Sequence, residues 1–276
     1  MNEFKELIFW YLKCKRNLPW REIRDPYRLW VSEIILQQTR VETGTEYYLR
    51  FVNTYPDVLS LARADEHDVL KLWQGLGYYS RARNMLSTAR YIAEHLGGVF
   101  PDSYEGLIKL KGVGPYTAAA IASFAYRLPH AAVDGNVARV LSRVFDIDRP
   151  VNTSEGGKII ARLAEEVLDR ERPDLHNQAM MELGATVCTP RRPLCDECPL
   201  RLGCRSRQNG TVLQRPVKTS RSKPVVRHMD YAVLHTEDKL IFRRRQDEDI
   251  WKGLHDFAAL EGYDNPDSDR LLSFVA

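Results

Sequence analysis

Cys188, Cys195, Cys198 and Cys204 fall within seventeen positions as C-x6-C-x2-C-x5-C, and no other feature of the 276-residue chain narrows its fold as much. A chain that gathers four thiols must fold around whatever they hold. In a reducing cell thiols this close serve as ligands far more often than as disulfides, and only Cys14 stands outside the set. Structural zinc usually takes two short C-x2-4-C pairs, whereas here one short pair is flanked by wider gaps. That spacing favours a [4Fe-4S] cluster, with zinc as the alternative.

Composition sets the outer limits. With 44% hydrophobic and 28% charged residues the chain reads as soluble and globular, long enough for two domains. It holds no membrane-length apolar run, and the Leu7 to Leu12 stretch is too short and too charge-flanked for a signal peptide, so a cytoplasmic location and no membrane partner are expected. Cys188 to Arg227 contains ten Lys/Arg and two Asp/Glu, a net +8, which against +3 for the whole chain leaves −5 elsewhere. Such a concentration predicts contact with a polyanion, most simply DNA phosphates, through Arg191, Arg192, Arg201, Arg205 and Arg207; a solvated basic linker accounts for part of it.

The first two hundred residues read as successive helices punctuated by Pro and Gly. Phe4, Leu7, Ile8 and Tyr11 share one face of an opening helix. Asp25 and Pro26 form an N-cap and first-turn pair for a helix carrying Leu29, Trp30, Glu33, Ile34 and Leu36. Further helices are expected at 69–74, 82–95, 116–125, 135–145 and 156–170. Residues 209–224, with Pro216, Ser220, Ser222 and Pro224, read as an interdomain linker. Beyond it, Met229 to His235 and Lys239 to Arg244 read as a β-hairpin.

Leu110-Lys111-Gly112-Val113-Gly114-Pro115-Tyr116-Thr117 and the small-residue run Ala118 to Ser123 make a helix, a glycine turn and a helix within 107–125. Side-chain-free glycines let backbone N–H groups at the second helix approach a phosphate; a plain helix connection explains the same pattern. Together with Val133-Asp134-Gly135-Asn136-Val137 and the four cysteines, this turn resembles the helix-hairpin-helix DNA glycosylase superfamily. Trp30 to Thr39 (W-V-S-E-I-I-L-Q-Q-T), Leu72 to Asn84 (L-W-Q-G-L-G-Y-Y-S-R-A-R-N) and Asn177 to Ala185 (N-Q-A-M-M-E-L-G-A) are similar to MutY-type adenine DNA glycosylases in particular.

The resemblance implies a mainly α fold, a two-lobed helical body over residues 1–208 with an iron-sulfur loop at 188–204. It implies a base-excision-repair hydrolase that flips adenine out of duplex DNA where it is mispaired with 8-oxoguanine or guanine, and that acts as a monomer on the nucleoid. Tyr116 stands where bifunctional relatives carry a Schiff-base lysine, and a phenol forms no imine. The expected product is therefore an abasic site rather than a nicked strand.

Glu33 interrupts an apolar helix; facing inward it would be desolvated and its pKa raised towards that of a working acid, though spacing alone also fits an exposed glutamate. The resemblance makes it the acid that protonates adenine N7. Asp134 reads as an N-cap whose helix N–H groups favour the ionised form. Capping alone explains an Asp there, and the resemblance adds stabilisation of the oxocarbenium ion at C1′. One protonated and one charged carboxyl would suit departure of a base from a sugar.

The same resemblance assigns Asn136 and Tyr116 as helpers of Asp134. Arg16, Trp20, Leu36, Gln178 and Met181 become adenine-pocket lining, with core packing the alternative for Trp20, Leu36 and Met181. Gln38 and Tyr78 become residues inserted into the base stack, although Tyr78-Tyr79 also fits a core pair.

Residues 225–276 resemble the start of a Nudix-like α+β module that reads 8-oxoguanine. Trp251-Lys252-Gly253-Leu254-His255-Asp256-Phe257 matches its W-x-G-L-x-x-F element, with Ala258 in place of the usual proline. No later lesion-reading loop follows before Ala276, so adenine excision with a reduced preference for 8-oxoguanine over guanine is expected. Two rival functions stand beside this one: a pyrimidine or thymine glycosylase or endonuclease III-like lyase on the same scaffold, and a noncatalytic iron-sulfur DNA-binding or redox-sensing protein, which would need neither Glu33 nor Asp134.

Overall fold

A computed structural model describes residues 3–219, 226, 228–245 and 251–262. The chain divides into two units, Met1–Gly77 with Arg81–Thr219 and Tyr78–Ser80 with Ser220–Ala276. The described part of the first unit is helical: α1 (Glu3–Cys14), α2 (Pro26–Ile35), α3 (Val41–Thr54), α4 (Val58–Ala62), α5 (Glu66–Leu72), α6 (Ser80–His95, which begins in the second unit), α7 (Tyr104–Leu107), α8 (Pro115–Tyr126), α9 (Gly135–Val144), α10 (Ser154–Val167), α11 (Pro173–Thr186) and α12 (Arg205–Gln208). None of these helices is long and apolar enough to cross a membrane.

Local chemistry accounts for the boundaries that matter to the site. Asp25 accepts the N–H groups of Tyr27 at 2.9 Å and Arg28 at 3.3 Å, and Pro26 takes the first helical position, so α2 starts where the sequence says. Its Leu29 packs with Ala119, Ala120 and Phe124 of α8, whose small side chains let the two helices approach closely. In α9, Val137, Val140, Leu141 and Val144 recur at helical spacing and meet Ile160 and Ala164 of α10, Ala179, Met180 and Leu183 of α11, and Leu7 and Tyr11 of α1. The start of the chain is thereby bound to residues some 130–170 positions later.

The two longest helices absent from the stretches expected above are α3 and α11; the short α4 and α12 are absent from them as well. α3 contains Gly44 and Thr45, which weaken any helical signal; a side chain at 44 would come within 2.7 Å of Leu36. α11 is buried on several faces at once, so its apolar positions show no single stripe.

Most of the segment that reads as linker is fastened to the helical body. Asp146 accepts from Ser206 at 3.0 Å, Thr211 at 2.7 Å and Asn209 at 2.8 Å and pairs with Arg215 at 2.8 Å; these hydrogen bonds hold its carboxyl down at about 2. Val217 accepts the Val151 N–H at 3.0 Å, and Thr219 bonds to Asn152. Residues 220–224, with Ser220, Ser222 and Pro224, lie outside the described residues.

In the second unit the expected hairpin forms only next to its turn, and the longer strand pairings lie elsewhere. β1 (His228–Ala232) pairs antiparallel with β4 (Ala258–Gly262), and β2 (Arg243–Arg244) with β3 (His255–Asp256). The two segments read as a hairpin do meet antiparallel beside their turn, with the Thr236 N–H on the Lys239 carbonyl at 2.9 Å, the Ile241 N–H on the Leu234 carbonyl at 3.0 Å and a bridge between His235 and Leu240, but the pairing does not extend into β1. Ala259 supplies the reason: it is 5% exposed, so the later strand brings a buried residue to β1 that the exposed Leu240, Ile241 and Phe242 do not offer.

Candidate active site

Glu33 lies in the last turn of α2, a helix buried around nearly its whole circumference, and the residue is 7% exposed. Its carboxylate accepts the phenolic O–H of Tyr116, in the first turn of α8, at 2.6 Å. Burial pushes the Glu33 carboxyl from its ordinary 4.5 up to about 7, against the Tyr116 hydrogen bond, with a further rise from the charge of Asp134. The Tyr116 phenol is itself driven far above its ordinary value by burial and by the Glu33 and Asp134 charges, so it serves as a donor throughout the neutral range. The exposed-glutamate reading of position 33 is excluded.

Asp134 is the N-cap of α9, accepting the Val137 N–H at 2.7 Å and the Asn136 side-chain amide at 2.8 Å. The expected depression of its pKa is corrected. Burial in the cleft outweighs the hydrogen bonds, and the carboxyl lies above its ordinary 3.8. The cap is real, but it acts in a partly buried cleft, where an anion loses more hydration than these N–H groups return. Both carboxyls are thus raised; Asp134 keeps the richer set of donors, with the Arg139 charge also favouring its ionised form.

Both groups line one cleft of about 640 Å³ together with Arg16, Trp20, Leu36, Gln38, Tyr116, Asn136 and Met181. Trp20 also packs edge-on against Tyr48, 5.4 Å between centroids, so it is at once a wall of the cleft and a packed core side chain. Gln178 is not part of this lining; its side-chain oxygen accepts the Tyr11 hydroxyl at 2.5 Å. Arg16 reaches the cleft on a support: Glu182, wholly buried, takes its guanidinium at 2.8 and 2.9 Å, accepts its backbone N–H at 3.0 Å and also holds Arg21. Those hydrogen bonds keep the Glu182 carboxyl below its ordinary value despite burial.

Glu182, Arg21, Arg139 and Asn177 are site residues that sequence reasoning did not single out. For Glu182 the signal existed, an acid within an apolar helix as at Glu33. Arg139 donates to the Asn136 side-chain oxygen at 2.7 Å, the Gly184 carbonyl at 2.7 Å and the Cys188 carbonyl at 2.8 Å, fixing the amide that faces Asp134. Asn177 joins Ser123 of α8 at 2.9 Å, the His130 carbonyl at 2.8 Å and the Ala132 N–H at 3.0 Å, which steadies the loop leading to Asp134. Gly184 permits α11 to touch α9; a side chain there would stand 2.5 Å from the Asn136 Cβ.

The glycine turn is exposed and its two glycines differ. Gly112 has φ +78, and a side chain on it would meet Asn84 at 2.9 Å. Gly114, at φ −89, is the N-cap of α8 and supplies no side-chain bond, so the first-turn N–H groups receive no cap of the kind Asp134 gives α9. Gln38 and Tyr78 both have left-handed backbone, φ 61 and 47, and Tyr78 is 63% exposed, which rules it out of a core pair. Arg191 and Arg192 are exposed beside the cysteine loop, as are Arg201, Arg205 and Arg207.

All four cysteines line one further pocket, walled by Val140, Val144, Leu183 and Leu200. Burial pushes the Cys198 thiol up to about 12 and raises those of Cys195 and Cys204. Among the described residues no three such groups meet at a point that a single ion would occupy; the thiols share a pocket. Arg143, 2% exposed, closes it by donating to the Cys188 sulfur at 3.3 Å and to the carbonyls of Cys188, Thr189, Pro190, Val212 and Arg215 at 2.8–3.3 Å. Four soft donors in an apolar wall with a buried guanidinium alongside fit an anionic iron-sulfur centre.

The chain matches the HhH-GPD superfamily of base excision DNA repair proteins over residues 31–169, and the iron-sulfur binding domain of endonuclease III over residues 188–204. It is 35% identical over 257 residues to an adenine DNA glycosylase of Buchnera aphidicola subsp. Baizongia pistaciae, covering 92% of this chain and 72% of that one. To the adenine DNA glycosylase of Homo sapiens it is 47% identical over 211 residues, 73% of this chain but only 39% of the human protein. Among solved structures, a thermostable thymine-DNA glycosylase superposes with a TM-score of 0.69 at 27% identity, covering 75% of this chain and 98% of that one. An endonuclease III trapped covalently on DNA shares the fold, with a TM-score of 0.64 at 22% identity over 76% of this chain and 96% of that one.

Proposed function

The chain belongs to the MutY-type adenine DNA glycosylases of the HhH-GPD superfamily, and from that premise we propose that it hydrolyses the N-glycosidic bond of adenine mispaired with 8-oxoguanine or guanine in duplex DNA. One observation carries the reading: a carboxyl poised near 7 by burial, bonded to a phenol and sharing a cleft with a second carboxyl. Glu33 donates its proton to N7 of the extruded adenine, making a neutral leaving group. Positive charge then develops at C1′, and Asp134 stabilises it while Asn136, oriented by Arg139, fixes the Asp134 carboxylate. Water completes the hydrolysis. Tyr116 steadies Glu33 and offers no amine, so the product is an intact strand with an abasic site.

Trp20, Leu36 and Met181 shape the base pocket, and Arg16, set by Glu182, supplies its polar edge. Gln178 acts from behind this wall by holding Tyr11. Gln38 and Tyr78 fill the space the base leaves. Gly112 and Gly114, with Arg191 and Arg192, hold phosphates. Cys188, Cys195, Cys198 and Cys204 hold a [4Fe-4S] cluster, which supplies a structural centre for the arginine-bearing loop rather than chemistry at the sugar. Residues 225–276 form a partial Nudix-like module that reads the opposing base, joined through 209–224 to the glycosylase domain, and the protein works as a monomer on the cytoplasmic nucleoid.

The test is incubation with A:8-oxoguanine, A:G and oxidised-pyrimidine duplexes, with and without later alkali, beside Glu33→Gln. Strand breakage at adenine that requires alkali and disappears in the variant is expected. Breakage without alkali, or at a pyrimidine, would transfer the assignment to the lyase or to the thymine-glycosylase activity that the structural likeness keeps in view.

A further inference from the structure

Arg81, in the first turn of α6, ties two turns of the chain together. One terminal nitrogen donates to the carbonyls of Ile34 at 2.9 Å and Gln37 at 2.5 Å, at the end of α2. The other donates to the carbonyls of Leu76 at 3.2 Å and Gly77 at 3.3 Å. Its guanidinium lies 5.2 Å from the centroid of the Trp73 ring, and the indole N–H of Trp73 donates to the same Gly77 carbonyl at 3.0 Å. The residues directly after the clamped segments are Gln38 and Tyr78, and each has a left-handed backbone. Such a conformation is costly for a non-glycine residue and persists only where its surroundings over-determine it.

We propose that Arg81 is a positioning residue for base extrusion, a single cation that presets both turns so that Gln38 and Tyr78 enter the base stack as one unit. The proposal rests on the wedge role given to those two residues above. A planar fork satisfies four carbonyls spread over two segments, whereas an ammonium is a point donor that does not span them. Arg81→Lys therefore keeps the charge and loses the geometry.

The deciding experiment is a mutant cycle of Arg81→Lys with the double variant Gln38→Ala/Tyr78→Ala. Adenine release from an A:8-oxoguanine duplex is followed in single turnover and normalised to burst amplitude, so that loss of folded protein is not counted. Fluorescence of 2-aminopurine at the target position reports unstacking in parallel. Arg81→Lys alone should slow release by about tenfold and reduce the fluorescence rise, yet slow the double variant by less than about twofold, since the clamp then has nothing to position. A further tenfold loss in that background would overturn the clamp, and so would an unchanged fluorescence rise in the single variant. If the unsubstituted protein releases no adenine, the glycosylase reading fails by itself, and the fluorescence cycle alone decides on Arg81.

Discussion

Glu33 and Asp134 face one cleft from elements built in opposite ways. The interior of α2 surrounds Glu33 with Trp30, Ile34 and other buried neighbours and gives it one hydroxyl as a partner. The mouth of α9 meets Asp134 with a backbone N–H, an amide and a nearby guanidinium. Burial raises both, so desolvation is common ground and the count of donors sets them apart. An acid is made by burying a carboxyl among the apolar side chains of a helix; an anion is kept by placing one at a helix start.

Removing the proton donor should separate the two sites most sharply. Glu33→Gln is expected to slow single-turnover adenine release by about a thousandfold while leaving duplex affinity in a titration nearly unchanged. The same variant should stabilise the fold. The unfolded chain loses this proton near 4.5 and the folded chain only near 7, so the native protein sheds stability as pH rises between those values and carries the full cost above 7. Urea unfolding at pH 8 should show the glutamine variant more stable by roughly 3 kcal/mol, a gain that vanishes towards pH 4.5. Equal stability of the two proteins across that range would mean that Glu33 is not desolvated.

Asp134→Asn comes next, with a loss of about a hundredfold in rate expected from the proposed role of its charge. Asparagine is as good an N-cap, so the unfolding midpoint should hardly move. An unchanged rate would show that the position works only as a cap.

Tyr116→Phe tests the link from α8 to the acid. The hydrogen bond lowers the Glu33 pKa, so its removal should carry the falling limb of the rate profile from about 7 to higher pH, with a rate loss below pH 6 of about tenfold or less. A limb that stays put would assign the titration to another group. Smallest is Gly184→Ala, which crowds Asn136 and so disturbs only the Asp134 side. It should cost about 1–3 kcal/mol in denaturant unfolding and a few-fold in rate, with the limb still near 7.

Much of this was legible in the sequence because local chemistry decided it. Asp25-Pro26 announced α2, and Asp134-Gly135-Asn136 announced α9, through capping preferences that act over a few residues. Glu33 was conspicuous as an acid among apolar neighbours. What escaped depends on partners far away in the chain. Glu182 matters because Arg16 and Arg21 come back to it across some 160 positions, and no pattern within α11 encodes that. Gln178 lies one helical turn before Glu182, yet only the packing of Tyr11 decides that it turns away from the cleft. The pKa direction at Asp134 was missed for the same reason: the cap is local, whereas burial belongs to the assembled cleft. Pairing of β1 with β4 instead of its sequence neighbour is a further choice made at long range.

Arg143 grips the flanks of the cysteine loop almost wholly through main-chain oxygens, at positions 188, 189, 190, 212 and 215. Every amino acid carries that oxygen, so the attachment is blind to the side chains displayed at Thr189 and Val212. Side chains on the outer surface of this loop can therefore change while its roots stay seated.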